Sequence, residues 1–307
     1  MILELIPVPA MGPEDVVVAN HGPDSGAVFT GTEDGSIWRI DHDGRRIDRV
    51  AHTGGRPLGI EYDAAGSLVV CDGERGLLRV DPGTGGVEVL ADHVDGVRMR
   101  VCNNAALAAD GTIWFSDSST VHPLSEWRKD FVRHTCTGRL LRRDPDGTIE
   151  VVLDGLAFAN GVALAADESF VTVAESGRRT VVRHWLSGDR TGTTDLLAQD
   201  LPGYPDNSSL GSDGLIWITI ASPRVPLVTL LHRGPVWLRR AVTSIPERLQ
   251  PQPRRTVHVR AYDRDARLVH DVELPAVDFH MVTGVREHDG RLWFGSLLET
   301  AVATSRL

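Results

Sequence analysis

The sequence predicts an all-β chain folded as a six-bladed β-propeller, a single domain over residues 1–307, closed by its N-terminal strand and carrying insertions in the third and fifth blades. Three observations predict this. A turn followed by a short apolar strand recurs six times. Most copies are followed by a second strand that ends in a charged turn, and helical periodicity is nearly absent.

The six copies are GAVFTG at 26–31, GSLVVC at 66–71, GTIWFS at 111–116, ESFVTV at 168–173, GLIWIT at 214–219 and GRLWFG at 290–295. Second strands follow at 36–41, 77–81, 139–144, 180–184 and 257–263. Their residues are β-branched or aromatic, and Asp-Gly or Asp-Pro pairs punctuate them. Radial repetition of such antiparallel units buries both faces of each small sheet. The last copy runs into 301–305, while the apolar stretch 2–6 has no blade of its own and is expected to add the outer strand of the last blade. An open solenoid is the competing architecture, and the unpaired N-terminal strand favours closure.

Residues 118–137 and 222–256 are insertions between strands, and the second alternates apolar and arginine positions in a way that permits a short amphipathic helix. Long loops in a compact fold act as lids or specificity elements, or else as packing covers for a blade edge. Arg239, Arg240, Arg248, Arg254 and Arg255 fit either an acidic ligand or a solvated helix face, and no phosphate-binding loop accompanies them.

A formal net charge of −10 argues against nucleic acid, which requires a positive footprint. The opening MILELIPVPA is too short and too acidic for a signal peptide, and no apolar run approaches membrane-spanning length. Cys71, Cys102 and Cys136 are odd in number and irregularly spaced, so they read as free thiols in a reducing compartment. The expectation is a cytoplasmic protein whose partner is a small-molecule substrate, with no nucleic acid and no membrane. Oligomeric state has no signature in the sequence.

Three polar motifs share one phase of the repeat. Asn103 lies eight residues before the turn glycine Gly111, Asn160 eight before Glu168, and Asp206 eight before Gly214. In a propeller the residue preceding the innermost strand of a blade lies at the mouth of the central channel, so the three are expected to converge there. The first copy has a longer hairpin whose corresponding start is Glu14, and Asn207 adds an oxygen beside Asp206. Two carboxylates among all-oxygen donors suit one Ca²⁺ site, with another divalent cation as the alternative, and no histidine or cysteine shares the phase to suggest zinc. Asn and Asp also cap strand starts one at a time. Four at one phase are better explained by a common ion.

The segments GRPLGIEYD, CNNAALAADGTIWFSDSS, GRLLRRDPDG, LDGLAFANGVAL, LPGYPDNSS and EHDGRLWFGSL resemble the strictosidine synthase-like proteins, which belong with gluconolactonases and paraoxonases in one superfamily of six-bladed propellers. The resemblance runs from about Glu14 to Leu297, and its FANG and PGYPDN segments are the specific ones. It implies a Ca²⁺ in the channel held at Glu14, Asn103, Asn160, Asp206 and Asn207, the positions that the repeat phase gives independently. Paraoxonases hold a second calcium on acidic neighbours of two ligands; here those neighbours are Asp15 and Asn104, so one acidic donor is missing.

The departures narrow the chemistry. Strictosidine synthase uses a glutamate shortly before the EHDG stretch, and this chain has Thr283 there; the histidine at the end of the second blade's inner strand in paraoxonases maps to Asp72. What survives is the gluconolactonase pattern, a metal-assisted hydrolase of lactones or esters. Asp206 is the expected base, Asp72 a weaker one, and His122 and His134, which bracket the first insertion, are further candidates beside His280. There is no G-x-S-x-G elbow for a serine hydrolase. A non-hydrolytic lyase, isomerase or cyclase of specialised metabolism and a non-catalytic, metal-stabilised binding propeller stay open, because the fold alone decides nothing.

Overall fold

A computed structural model describes residues 2–42, 44–243 and 254–307. Six four-stranded antiparallel sheets follow one another along the chain, with innermost strands Val16–Val18, Pro57–Tyr62, Cys102–Leu107, Ala159–Leu164, Gly203–Leu210 and Val282–His288. We number the blades one to six in that order. The strand Glu4–Pro7 pairs antiparallel with Ala301–Arg306 as the outer strand of blade six, from Glu4 opposite Thr304 to Pro7 opposite Ala301. The ring is therefore closed as expected, with the pairing starting at Glu4.

Strand alternation builds the core. Leu68 and Val70 pack toward blade one, while Val69 and Cys71 of the same strand pack toward blade three. The same division recurs at every junction, so the six buried clusters each sit between two neighbouring blades. Each inner and middle strand thus buries both of its faces between neighbouring blades.

The insertions hold the helices. Trp127–Arg133 (α1) lies in the third blade's insertion, where no helix was expected, and Pro226–Arg233 (α2) and Val236–Thr243 (α3) lie in the fifth's. Pro226 opens α2 at its first turn, where the missing N–H costs nothing. The two insertions pack on each other: Arg239 Nη1 donates to Arg133 O at 2.7 Å, and Arg133 Nε donates to Thr243 Oγ1 at 3.0 Å. Arg239 thus closes a helix–helix contact. Arg255 donates to the carbonyls of Ala276 and Val277, and Arg248 lies outside the described residues.

Candidate metal centre

Most of the site residues owe their position to a local irregularity repeated in five of the six blades. Each innermost strand of blades two to six breaks register with its neighbour close to its start: between Pro57 and Ile60, Cys102 and Ala105, Ala159 and Val162, Pro205 and Ser208, and Val282 and Gly284. A bulge places an extra residue there and re-aims side chains. The first bulge residue is Leu58, Asn103, Asn160, Asp206 and Thr283 in turn, and Glu14 occupies the same place ahead of the blade-one strand. The sequence reading put these residues before the strands. Asn103, Asn160 and Asp206 instead lie inside them, because the ladder resumes on both sides of the bulge.

The residue that follows this position alternates around the ring: Asp15, Gly59, Asn104, Gly161, Asn207, Gly284. The alternation is steric. A Cβ on Gly59 would lie 2.7 Å from Asn104 Cα, one on Gly161 would lie 2.5 Å from the Asn207 carbonyl carbon, and one on Gly284 would lie 2.7 Å from Asp15 Cα. Each glycine makes room for the polar residue of the next blade.

Of those three polar residues, two are fully occupied. Asp15 Oδ1 accepts from Val16 N at 2.9 Å, and its Oδ2 accepts from Ile60 N and Asn104 Nδ2, both at 3.2 Å. Asn104 Oδ1 accepts from Val162 N at 2.7 Å. Asp15 and Asn104 thus cap the inner strand of the blade that follows. Asn207, at the equivalent position, has no hydrogen-bond partner for either Oδ1 or Nδ2 although it is buried.

The first-position asparagines are half-satisfied in one consistent sense. Asn103 Nδ2 donates to Ser118 Oγ at 2.9 Å, and Asn160 Nδ2 donates to Ser176 Oγ at 3.3 Å. Both Oδ1 atoms are buried without a partner. A buried amide oxygen left unpaired costs about 1–3 kcal/mol. With Asn207 Oδ1 this makes three buried amide oxygens, all on inner strands, without a partner in the protein.

The carboxylates complete the set. Glu14 is buried, its Oε2 held 3.3 Å from Arg56 Nη2, while Arg56 Nη1 donates to Gly12 O at 2.9 Å. Burial pushes the Glu14 carboxyl up to about 7, with Arg56 pulling the other way. Asp206 is half-buried; burial raises it well above the ordinary carboxylate range, the Glu14 charge adds to this, and the Asn160 amide opposes it. These mutual effects show that Glu14, Asn160 and Asp206, from three blades, face one space. Glu14, Asn103, Asn160, Asp206 and Asn207 offer two carboxylates and three amide oxygens, a hard donor set of the kind that holds Ca²⁺. Among the described residues no three His, Cys, Asp or Glu side chains gather, so the set is amide-rich.

The other sequence candidates have partners of their own. Asp72 Oδ1 accepts the backbone N–H of Arg56, Glu74 and Arg75 at 2.9, 3.0 and 3.0 Å. Asp117 and Glu175 accept from Val101 N and Ala157 N in the same way, so Asp72 is a capping residue of the repeat, with only Oδ2 unpartnered. His122 Nδ1 pairs with Glu126 Oε2 at 2.8 Å inside the insertion. His134 closes α1 in the left-handed conformation and stacks on His232 at 4.3 Å between ring centroids. Burial, then His232, Arg178 and Arg239, hold it down at about 4. None of these contacts is with the oxygen cluster. His280 pairs with Glu299, and Thr283 Oγ1 donates to Glu14 O at 2.8 Å, which holds the backbone of that residue.

Sequence reasoning missed one feature beside the site. Phe131 of α1 packs edge-on against Tyr204 at 4.8 Å and Phe158 at 6.2 Å between ring centroids. Phe158 and Tyr204 each stand two residues before a candidate ligand, Asn160 and Asp206. The insertion therefore rests on the two chain segments that deliver those ligands. The FANG and PGYPDN motifs contained that signal in their aromatic positions.

Six closed blades with polar residues at the bulges of their inner strands define a six-bladed β-propeller, and comparison with known proteins places it in a family. The sequence model of the SMP-30/Gluconolactonase/LRE-like region matches residues 21–225, and the chain belongs to that family. It is 30% identical to Protein STRICTOSIDINE SYNTHASE-LIKE 6 of Arabidopsis thaliana, over 93% of this chain and 78% of the relative. It is 32% identical to the adipocyte plasma membrane-associated protein of Gallus gallus, over 93% of this chain and 73% of the relative. Two solved structures share the fold: a gluconolactonase from Xanthomonas campestris (TM-score 0.71, 17% identity, 99% of this chain and 89% of that one) and the calcium-binding protein regucalcin from Agrobacterium tumefaciens (TM-score 0.64, 13% identity, 97% and 90%). No helix among the described residues is long and apolar enough to cross a membrane.

Proposed function

We propose that this chain is a calcium-dependent hydrolase of lactones or esters, acting on a small-molecule substrate at the channel mouth. One observation carries the reading: the buried Oδ1 atoms of Asn103, Asn160 and Asn207 have no partner, and Glu14 and Asn160 both act on the Asp206 carboxylate. A divalent cation bound there, Ca²⁺ or another in its place, supplies polarisation of a substrate carbonyl and stabilisation of the charge that develops on it.

The chain's own residues do the rest. Ser118 and Ser176 hold the Asn103 and Asn160 amides so that their oxygens face the channel. Arg56 and Thr283 fix Glu14 by its carboxylate and its backbone carbonyl. Asp206 accepts the proton of the attacking water at its carboxylate, a task suited to a group whose pKa burial has raised. Asp72 and His122 serve the scaffold, and His134 supports the insertions. The Phe131–Tyr204–Phe158 wall favours an apolar substrate edge on the side of blades four and five. That wall also favours the second reading, a carbonyl reaction that uses no water. The free thiols support a cytoplasmic setting.

The test is a screen of γ- and δ-lactones and aryl esters with calcium-loaded and chelated protein. Calcium-dependent turnover supports the hydrolase. Complete inactivity of protein shown to hold calcium moves the reading to a lyase, isomerase or cyclase, or to a binding propeller.

A further inference from the structure

Four blades place Glu14, Asn103, Asn160 or Asp206 at the start of the inner strand, while blades two and six have Leu58 and Thr283 there. Three residues further along each strand, roughly 10 Å deeper, this division reverses. The six residues of that layer are Val17, Glu61, Ala106, Ala163, Ser209 and Arg286, so only blades two and six carry a charge. These blades are the two neighbours of blade one. Their charged side chains meet across it: Arg286 Nη2 donates to Glu61 Oε1 at 2.5 Å, with 11% and 15% of the two side chains exposed.

Asp15 of blade one lies between the strands that bring this pair together. Its Oδ2 accepts from the N–H of Ile60, the residue before Glu61, and its Oδ1 is the atom nearest to where a Cβ on Gly284, two residues before Arg286, would stand. Arg286 and Glu61 both act on the Asp15 carboxylate, Arg286 the more strongly. Hydrogen bonding alone does not account for an arginine here. Arg286 Nε is buried without a partner, and Asp15 already accepts from Val16 N, Ile60 N and Asn104 Nδ2. A guanidinium removed from water is costly unless its charge is compensated. What Arg286 brings is therefore charge, given to Glu61 directly and to Asp15 through space. In the upper layer Glu14 has the longer 3.3 Å contact with Arg56, and Asp206 is acted on by Glu14, Asn160 and Asp15, none of them a cation.

We propose that Arg286 is the resident cation of the lower layer: its guanidinium neutralises Glu61 and Asp15 there, so that the inner strands accept one divalent ion, at the upper donor set. This rests on the metal reading above and adds to it the residue that sets the number of ions.

The test counts calcium on the full chain by calorimetry and, after gel filtration in calcium, by plasma emission spectroscopy. Wild type and Arg286→Lys, which keeps the charge, should each bind one ion. Arg286→Gln leaves Asp15 and Glu61 without their cation and should bind two, with a larger calcium-induced rise in Tm than wild type. Adding Glu61→Gln to Arg286→Gln should return the count to one. Arg286→Gln is expected to fold in calcium, because the second ion takes over the charge of the guanidinium. One ion on wild type and one on Arg286→Gln would overturn this inference alone. Two ions on any of the other three proteins, or failure of Arg286→Gln to fold at saturating calcium, would also overturn it. No calcium on any of the four would overturn the metal reading and this inference with it.

Discussion

Asn103 Nδ2 donates to Ser118 Oγ at 2.9 Å, and this one bond decides which end of the Asn103 amide faces the channel. Ser118 directly follows Asp117, the strand's last residue and the cap of Val101 N, so the anchor stands one residue past the strand. Blade four repeats the arrangement with Asn160, Ser176 and Glu175. The first prediction follows from it. Ser118→Ala leaves the fold intact and weakens calcium binding roughly fivefold to tenfold, about the net value of one hydrogen bond. Calorimetry measures it, and Ser118→Thr, which keeps the hydroxyl, should recover most of the loss.

Gly161→Ala tests the alternation of glycine and polar residues around the ring. The added Cβ would lie 2.5 Å from both Asp206 O and the Asn207 carbonyl carbon, against backbone that has nowhere to move. A loss of about 1–3 kcal/mol is expected, with calcium affinity reduced because both displaced residues belong to the site. Chemical denaturation and calcium titration read the two effects separately.

The acidic groups give a pH dependence of defined sign. Burial raises Glu14 to about 7 and Asp15 to about 7, and raises Asp206 in the same direction. In chelated protein the folded state therefore holds protons that the unfolded chain has released. The stability these groups contribute is complete below about pH 4, the unfolded carboxylate range, and is lost as pH rises through about 7. Chelated protein should melt lower at pH 8 than at pH 5, by roughly 5 °C or more. Calcium, which binds the charged carboxylates, should raise the melting temperature more at pH 8 than at pH 5. Melting curves over that range with and without calcium give both results.

Phe131→Ala removes the ring that bridges α1 to Tyr204 and Phe158. The expected result is a rise in KM for apolar lactones by about tenfold, with calcium affinity nearly unchanged, because Phe131 contacts the segments before the ligands. Steady-state kinetics beside calorimetry distinguish this from a general loss of structure.

The architecture was legible because each blade writes its own turn-and-strand pattern and because Glu4–Pro7 had no local partner to pair with. The shared placement of Asn103, Asn160 and Asp206 on their inner strands was legible for a related reason: a repeat puts chemically similar residues at one phase. The bulges were not, since a break in pairing between Cys102 and Ala105 depends on the opposing strand and leaves no mark on composition. The division of labour between Asn104, which caps Val162 N, and Asn207, which caps nothing, also escaped the sequence, where both are the second of two polar residues. Asp72 and His122 looked reactive by type. Their hydrogen bonds to backbone amides and to Glu126 come from neighbours that the chain pattern does not reveal. The α1–α3 contact is wholly non-local, joining residues more than a hundred positions apart through Arg133 and Arg239.

The central claim is a single cation site shared by four blades, and calcium calorimetry on chelator-treated protein tests it most directly. The wild-type chain should bind one calcium per molecule, and Asp206→Ala, with an unchanged circular dichroism spectrum, should show no measurable binding. Absence of binding by the wild-type chain, or undiminished affinity in Asp206→Ala, would contradict the account.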